Sequence, residues 1–423
     1  MKRQLLLILC AGLMGLPAYA SYGPYEHGYG IKSMGAGGIG FVQPEDGYAV
    51  NANPAAAAFL DHRLDLGLNW IVVQPGGSIE GNAAGDDQKY NSDGARHFPI
   101  PQAAYVRPLS ERLSFASTLF AAGIGSDYRQ NPYARFGADD TGGLSVTQSG
   151  LSAMLAWRLR QTQAIGAGIN LSYRAFELKG AQPFTALSQA PERVTNQGSR
   201  GGLGISLSLG WQAQLSQTVS AGVGWRSTTY TEKIDRYAGV LPDQGRLNMP
   251  ALWGGGLAFT PTPRLTLAVD YQRVEYASEP ALGHPLARLT EHDQPLGADA
   301  GPGFGWRDQN IYKLGLIWRA SERLTLRAGY SQGSVIMPPS QTLFGLLAQA
   351  VGKRHYTAGA TYALTPQWEM TGYAAVQPRN EVRGQQSIPA DFGGGEAHVF
   401  FTSYSAGLSI SRRFGAPAAS SAP

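Results

Sequence analysis

The chain has 423 residues, 55 of them glycine, with 34 Lys+Arg against 30 Asp+Glu and a single cysteine, Cys10. So small a charge excess gives no reason to expect nucleic acid as a partner. One cysteine excludes internal disulfides and thiolate metal clusters.

The first element is a secretory leader over residues 1–20. Lys2-Arg3 precede the apolar run Leu5–Leu16, and Ala18-Tyr19-Ala20 supplies the small-x-small cleavage pattern. The run is too short for a spanning helix, which needs about 20 apolar residues. Cleavage after Ala20 is expected, and it removes Cys10. Residues 21–60 follow without alternation, through Gly35-Ala36-Gly37-Gly38-Ile39-Gly40 and Asn53-Pro54-Ala55. Gly and Pro at this density suit irregular folded backbone. Ile31, Met34, Ile39, Phe41, Val42 and Phe59 would be out of place in a solvated tail. The segment is therefore expected to fold as an N-terminal plug.

Residues 61–414 carry a period-two pattern. Leu64, Leu66, Leu68 and Trp70 alternate with Asp65, Gly67 and Asn69. Leu203, Ile205, Leu207 and Leu209 alternate with Gly204, Ser206 and Ser208, and Tyr404, Ala406, Leu408 and Ile410 with Ser405, Gly407 and Ser409. Period two marks strands, and apolar residues alternating with small or polar ones mark strands between lipid and lumen. Fourteen such segments are read at 62–73, 101–108, 112–122, 147–158, 162–173, 202–212, 217–227, 250–260, 264–275, 310–319, 323–332, 354–363, 367–377 and 402–414. Short turns such as Arg160-Gln161 alternate strictly with the long segments 74–100, 123–146, 174–201, 228–249, 276–309, 333–353 and 378–401. A β-sandwich or propeller lacks this rhythm. In lipid every backbone group must be satisfied internally, so strands cross only as a closed barrel. The predicted fold is all-β: a transmembrane antiparallel β-barrel of 14 strands in the bacterial outer membrane, both termini periplasmic. Residues 415–423 form a tail beyond Phe414.

The glycine run, Glu45-Asp46, Asn53-Pro54-Ala55, Leu247-Asn248-Met249-Pro250-Ala251-Leu252-Trp253, Trp306-Arg307-Asp308 and Leu324-Thr325-Leu326-Arg327-Ala328-Gly329-Tyr330 together resemble the FadL family of outer-membrane long-chain fatty acid transporters. The resemblance spans essentially the whole mature chain. It implies a fourteen-stranded barrel with an N-terminal hatch, capture of substrate between two external loops, a lumenal pocket, and a sideways exit beside a kinked third strand. The loops would be 174–201 and 228–249, with Phe176, Phe184 and Leu187 as apolar contacts. Arg174 and Arg307 match basic positions near the family's pocket, where a guanidinium could orient a carboxylate. The kink would fall at Gly123-Ile124-Gly125, since glycine lets a strand bend or lose pairing, with Asn53, Pro54 and Ala55 facing Gly123 and Gly125.

Two motifs are set aside. Gly35–Gly40 fits a dinucleotide fingerprint but has no strand before it. Gly329-Tyr330-Ser331-Gln332-Gly333 fits a serine-hydrolase elbow, but a strand here runs into a proline-containing loop. No catalytic residue, metal or cofactor is expected. The expected cargo is a hydrophobic small molecule: a fatty acid, an alkane or an aromatic. Expected partners are outer-membrane lipid, lipopolysaccharide and the barrel assembly machinery, and the chain is expected to be a monomer. A general porin and an outer-membrane lipase are the alternative readings.

Overall fold

The computed structural model describes residues 22–414. The leader, its cleavage site and the tail at 415–423 lie outside them. Fourteen long strands form the wall: β1 (Arg63–Glu80), β2 (His97–Pro108), β3 (Leu113–Tyr128), β4 (Gly142–Arg160), β5 (Gln163–Lys179), β6 (Arg200–Gln214) and β7 (Val219–Arg226). They continue as β8 (Leu252–Thr262), β9 (Leu265–Val274), β10 (Gln309–Arg319), β11 (Leu324–Gly333), β12 (Arg354–Ala363), β13 (Trp368–Val382) and β14 (Glu396–Arg413). Each pairs antiparallel with its sequence neighbours, and β14 closes on β1 from Arg63↔Arg413 to Glu80↔Glu396. Two further short strands, Gln88–Asn91 and Tyr230–Thr231, pair with β1 and β6 at the long-loop end.

The alternation faces as the sequence dictates. Leu207 is 51% exposed on the outer face and Ser206 only 3% on the inner one. Outward Trp157, Trp225 and Trp318 lie toward strand ends, where amphipathic rings suit the membrane–water boundary. No helix among the described residues is long and apolar enough to cross a membrane.

Several strands exceed their predicted spans at the long-loop end. The excess covers Gln74–Glu80, Gly123–Tyr128, Gly142–Val146 and Glu396–Phe401. These stretches rise beyond the lipid belt, so no alternation marks them: Gly76 packs on the Phe400 ring and Gly77 on Leu346. The loop predicted to begin at Arg174 starts only after Lys179.

Residues 22–60 lie inside the wall and bond to strands around its circumference. Their structure is a helical turn at Ile31–Gly35 and two 3-10 turns, Gly47–Asn51 and Pro54–Phe59. Asp46 and Asn53 cap the two turns by accepting from Tyr48 N and Ala55 N, as short polar side chains do at helix starts. Inward charges hold the segment. Asp270 on β9 accepts from Gly40 N (2.7 Å) and Phe41 N (3.2 Å), Asp65 on β1 from Gly47 N, and Lys313 on β10 donates to Gly38 O. Lys32 pairs with Glu369 on β13 and Glu45 with Arg327 on β11, both at 2.6 Å. Inward glycines let backbone meet backbone: a Cβ on Gly329 would collide with Gly37 N, and one on Gly222 with Phe41 O.

Candidate ligand site and side portal

Beneath the long loops lies a cavity of about 50 Å³ lined only by apolar residues. The wall supplies Leu144 from β4 and Phe176 from β5. Loops supply Phe184, Leu241, Leu296 and Phe344. Of the predicted contacts, Phe176 and Phe184 line this cavity, whereas Leu187 lines a second, wider groove of about 770 Å³ toward the long-loop end. Phe184 and Phe344 border both spaces. Their rings meet edge to face at 5.3 Å, and Tyr133 and Phe392 pack on Phe184 at 5.1 and 5.6 Å. An apolar cavity of about 150 Å³ holds a benzene ring. The pocket is smaller than that, and the Phe184–Phe344 pair stands between it and the wider groove.

Arg174 is buried beside the lumen, 1% exposed. It donates to Leu247 O and, at 3.1 Å, to Gln148 Oε1, while its Nε has no partner. Arg307 is exposed and shares no site with Arg174. It follows the 287–290 helical turn in a loop, and only its backbone N–H is tied inward, to Ile336 O.

The wall has one conspicuous interruption. β2 and β3 pair from Pro108↔Ser114 only to Ala103↔Leu119. Yet β3 stays paired with β4 as far as Tyr128↔Gly142, and β2 with β1 as far as His97↔Val72. Pairing stops where β2 carries Pro101 and then Pro99. Proline has no amide hydrogen and is confined to edges of a sheet. Gly123 and Gly125 sit on the facing stretch of β3. The inner segment completes the wall here: Gly123 N donates to Pro24 O at 2.8 Å. Pro24 lies in a tight turn, Tyr22-Gly23-Pro24-Tyr25, closed by Tyr22–Tyr25 backbone bonds. Tyr22 Oη donates to Ser331, Tyr276 Oη to Tyr22 O, and Tyr25 Oη to Pro250 O.

Asn53, Pro54 and Ala55 do not face this gap. Asn53 Nδ2 donates to Phe41 O and to Trp211 O on β6, and Pro54-Ala55 backbone presses on Gly166 of β5. The Asn53 amide needs carbonyl partners when buried, and β6 offers one where Gly210 leaves room.

Buried apolar side chains join pocket and gap. Phe176, Leu144, Val146, Ile124, Ala122, Phe98 and Tyr25 belong to one contiguous cluster. Around it, the inner segment carries shifted ionisable groups. Burial raises Glu26 to about 8, against the pull of a hydrogen bond from Asn69. Burial lowers His27 to about 4. Burial also pushes Glu45 up, but the Arg327 guanidinium outweighs it and holds the carboxyl below its ordinary range.

The family model for outer membrane protein transport proteins (OMPP1/FadL/TodX) matches residues 34–387. The chain belongs to this family. It is a family of transport proteins rather than of enzymes, and FadL-type barrels lie in the outer membrane. The fold matches solved FadL-type structures. A Pseudomonas aeruginosa FadL homologue superposes with a TM-score of 0.69 at 16% identity, covering 93% of this chain and 100% of that one. The Pseudomonas putida toluene transporter TodX gives 0.67 at 16% identity, covering 93% and 100%. The Ralstonia pickettii toluene transporter TbuX gives 0.63 at 17%, covering 92% and 99%. No curated protein matches. Sequence reasoning missed Pro99 and Pro101, although proline inside a β run is a legible signal. It also missed Phe344 and Leu241, because a single apolar residue in a loop carries no periodic signal.

Proposed function

We propose that this FadL-family barrel passes small, mostly apolar molecules from the outer groove, through the Phe184–Phe344 door, into the apolar pocket, and out between β2 and β3. The carrying observation is the single apolar cluster that links the pocket lining to an interruption in wall pairing. A greasy ligand on this route never crosses bulk water, which is where its transfer would cost most. Long loops are external and short turns periplasmic in this reading, as in other outer-membrane barrels, so both termini are periplasmic. Residues 22–60 act as a plug, with the Tyr22–Tyr25 turn as the stopper of the side exit.

The pocket's chemistry favours uncharged cargo such as an aromatic or alkane, as the names of TodX and TbuX suggest for those proteins. A fatty acid would have to place its carboxylate near Arg174, whose Nη1 and Nη2 already serve Leu247 O and Gln148 and whose Nε alone is without a partner. Two substitutions separate these readings. Gly123→Trp fills the gap, so uptake of labelled toluene should fall while the barrel still folds. Normal uptake would move the route to the lumen centre. Arg174→Gln should leave toluene binding unchanged; a tenfold loss of oleate binding would make the arginine a head-group ligand.

A further inference from the structure

The groove beside the pocket carries charge of one sign. It has a volume of about 770 Å³ and is built by the loops before β6, β10, β12 and β14. Phe184, Leu289, Phe344 and Phe392 give it an apolar lining, and Phe184 and Phe344 also line the pocket. Its charged members are Glu291, Asp293 and Asp391, all exposed. No lysine, arginine or histidine among the described residues lines it. Arg288 and His292 alternate in sequence with lining residues but stay outside the groove, and Arg288 Nη1 donates to Ala300 O at 3.1 Å. The three carboxylates have no ion pair or side-chain hydrogen bond among the described residues. Several acids elsewhere at this end do have a cation: Asp308 has Arg273 at 2.7 Å, Asp93 has Arg96 at 2.6 Å, and Asp243 has Lys233 and Arg246.

Behind Phe184 and Phe344 the surroundings change. The pocket is lined only by apolar residues, so an ion drawn into it would lose its water and gain no partner. Two residues further down β5 from Phe176 stands Arg174, a buried cation. An ammonium moving inward would therefore leave three carboxylates, cross a lining with no acceptor and approach a like charge. An uncharged hydrophobe meets none of these barriers.

We infer that the groove is a charge filter: it passes neutral hydrophobes, turns away hydrophobic carboxylates, and holds hydrophobic amines at the mouth, where they block the route. The bound amine sets its ammonium among Glu291, Asp293 and Asp391 and its tail against Phe184 and Phe344. Charge and apolar lining select this occupant together. A metal cation would use the carboxylates but not the lining, and a fatty acid would use the lining but meet like charge. Three carboxylates at about 7 Å in physiological salt favour a cation over an anion by roughly tenfold. At about 1 M salt the screening length falls to about 3 Å, and that preference disappears. The inference rests on the groove being the entrance of the proposed route.

The test uses the full barrel in a non-ionic detergent, with equilibrium dialysis of labelled octylamine, octanol and octanoate. Octylamine should bind roughly tenfold more tightly than octanoate at low salt, with octanol between them, and high salt should bring the two ions together. Glu291→Gln, Asp293→Asn and Asp391→Asn combined should erase the amine preference, with octanol as the reference within each variant. Glu291→Lys with Asp391→Lys should reverse it. A heat-modifiable gel shift confirms that each variant is folded. In cells, octylamine should slow uptake of labelled toluene through the wild-type barrel but not through the triple variant, and octanoate should slow neither. Equal binding of the two ions by wild type, or an unchanged preference in the triple variant, overturns the inference. Entry of octylamine at the rate of toluene overturns the block. Binding at the mouth is read without transport, so this result stands apart from the exit, which Gly123→Trp tests by uptake. Failure of even octanol to bind would remove the groove as the entrance, and the filter with it.

Discussion

Arg327→Met should free part of the inner segment without opening the wall. Arg327 holds Glu45 with two bonds, Nε to Oε2 at 2.8 Å and Nη2 to Oε1 at 2.6 Å, and spends Nη1 on Thr361 Oγ1 at 2.7 Å. The guanidinium is 2% exposed and the carboxylate 16%. Removing one partner of a buried ion pair costs about 3–5 kcal/mol. Glu45, however, borders the cavity of about 1140 Å³ at the short-turn end, so water can reach the orphaned carboxylate. A cost of roughly 2–3 kcal/mol follows, toward the range for charge-assisted hydrogen bonds. Hydrogen exchange on the intact barrel would read it: amides of Gly40, Phe41 and Tyr48 should exchange roughly 30- to 150-fold faster, since each 1.4 kcal/mol is about tenfold in the opening equilibrium. Wall amides of β11 should not change. Glu45→Gln added to Arg327→Met should recover part of the protection, because it removes the stranded charge. The pH dependence has a defined sign. Glu45 is held below its ordinary 4.5 in the folded state, so its contribution is present above 4.5 and is lost as pH falls below it. Exchange within twofold of wild type in Arg327→Met would show that the pair does not hold the segment.

Four further outcomes test other links. Phe184→Ala should widen the door, speeding toluene uptake and lowering discrimination against bulkier hydrocarbons; unchanged rates for both would remove Phe184 from the route. Leu207→Arg should cost about 2–4 kcal/mol on the lipid face and Ser206→Arg far less on the inner one, read as folded fraction on a gel, and equal damage would contradict the register. Pro99→Val with Pro101→Val restores amide donors at the wall interruption and should slow uptake several-fold in a folded barrel; full uptake would detach the prolines from the exit. Glu26, raised to about 8, binds its proton when seated, so the seat of residues 22–30 should weaken as pH rises from 4.5 through 8. Protease nicking near the N-terminus should follow that rise, and Glu26→Gln should flatten it.

The wall was legible because lipid imposes a rule on every second residue. Leu203–Leu209 had to alternate with Gly204–Ser208, and the structure keeps that register. Above the lipid that rule lapses, and the upper halves of β1, β3, β4 and β14 carried no periodic signal. The site was legible only in part. Phe176 and Phe184 stood out as apolar residues in what read as a loop, and they do line the pocket. Their partners Leu296 and Phe344 come from loops more than a hundred residues away, and no local pattern ties such segments together. Arg307 was misplaced because a basic residue beside Trp306 says nothing about which way the loop turns it. Asn53-Pro54-Ala55 was placed against the wrong strand for a related reason: the motif specifies its own turn through Asn53 capping, but the partner carbonyl, Trp211 O, is set by the fold.

Pro99 and Pro101 give the interruption a cause that lies in the wall itself. Where β2 offers no amide hydrogen, β3 loses a partner, and an unsatisfied backbone group facing lipid costs several kcal/mol. The wall therefore needs something else to bond with, and Pro24 O supplies it to Gly123 N. The stopper residue is itself a proline, so it too can accept but not donate. Three tyrosine hydroxyl contacts hold the turn from the lumen side, and none of these comes from β2 or β3. The stopper is thus anchored to strands and loops across the lumen while it completes the wall at the gap through the Gly123 bond. On the proposed route, a ligand arriving along the Leu144–Ile124 path would compete with one hydrogen bond and the packing of Tyr25, not with the ion pairs that seat the rest of residues 22–60. Opening the exit can then be local: the Tyr22–Tyr25 turn shifts while the Lys32–Glu369 and Glu45–Arg327 pairs keep the remainder in place.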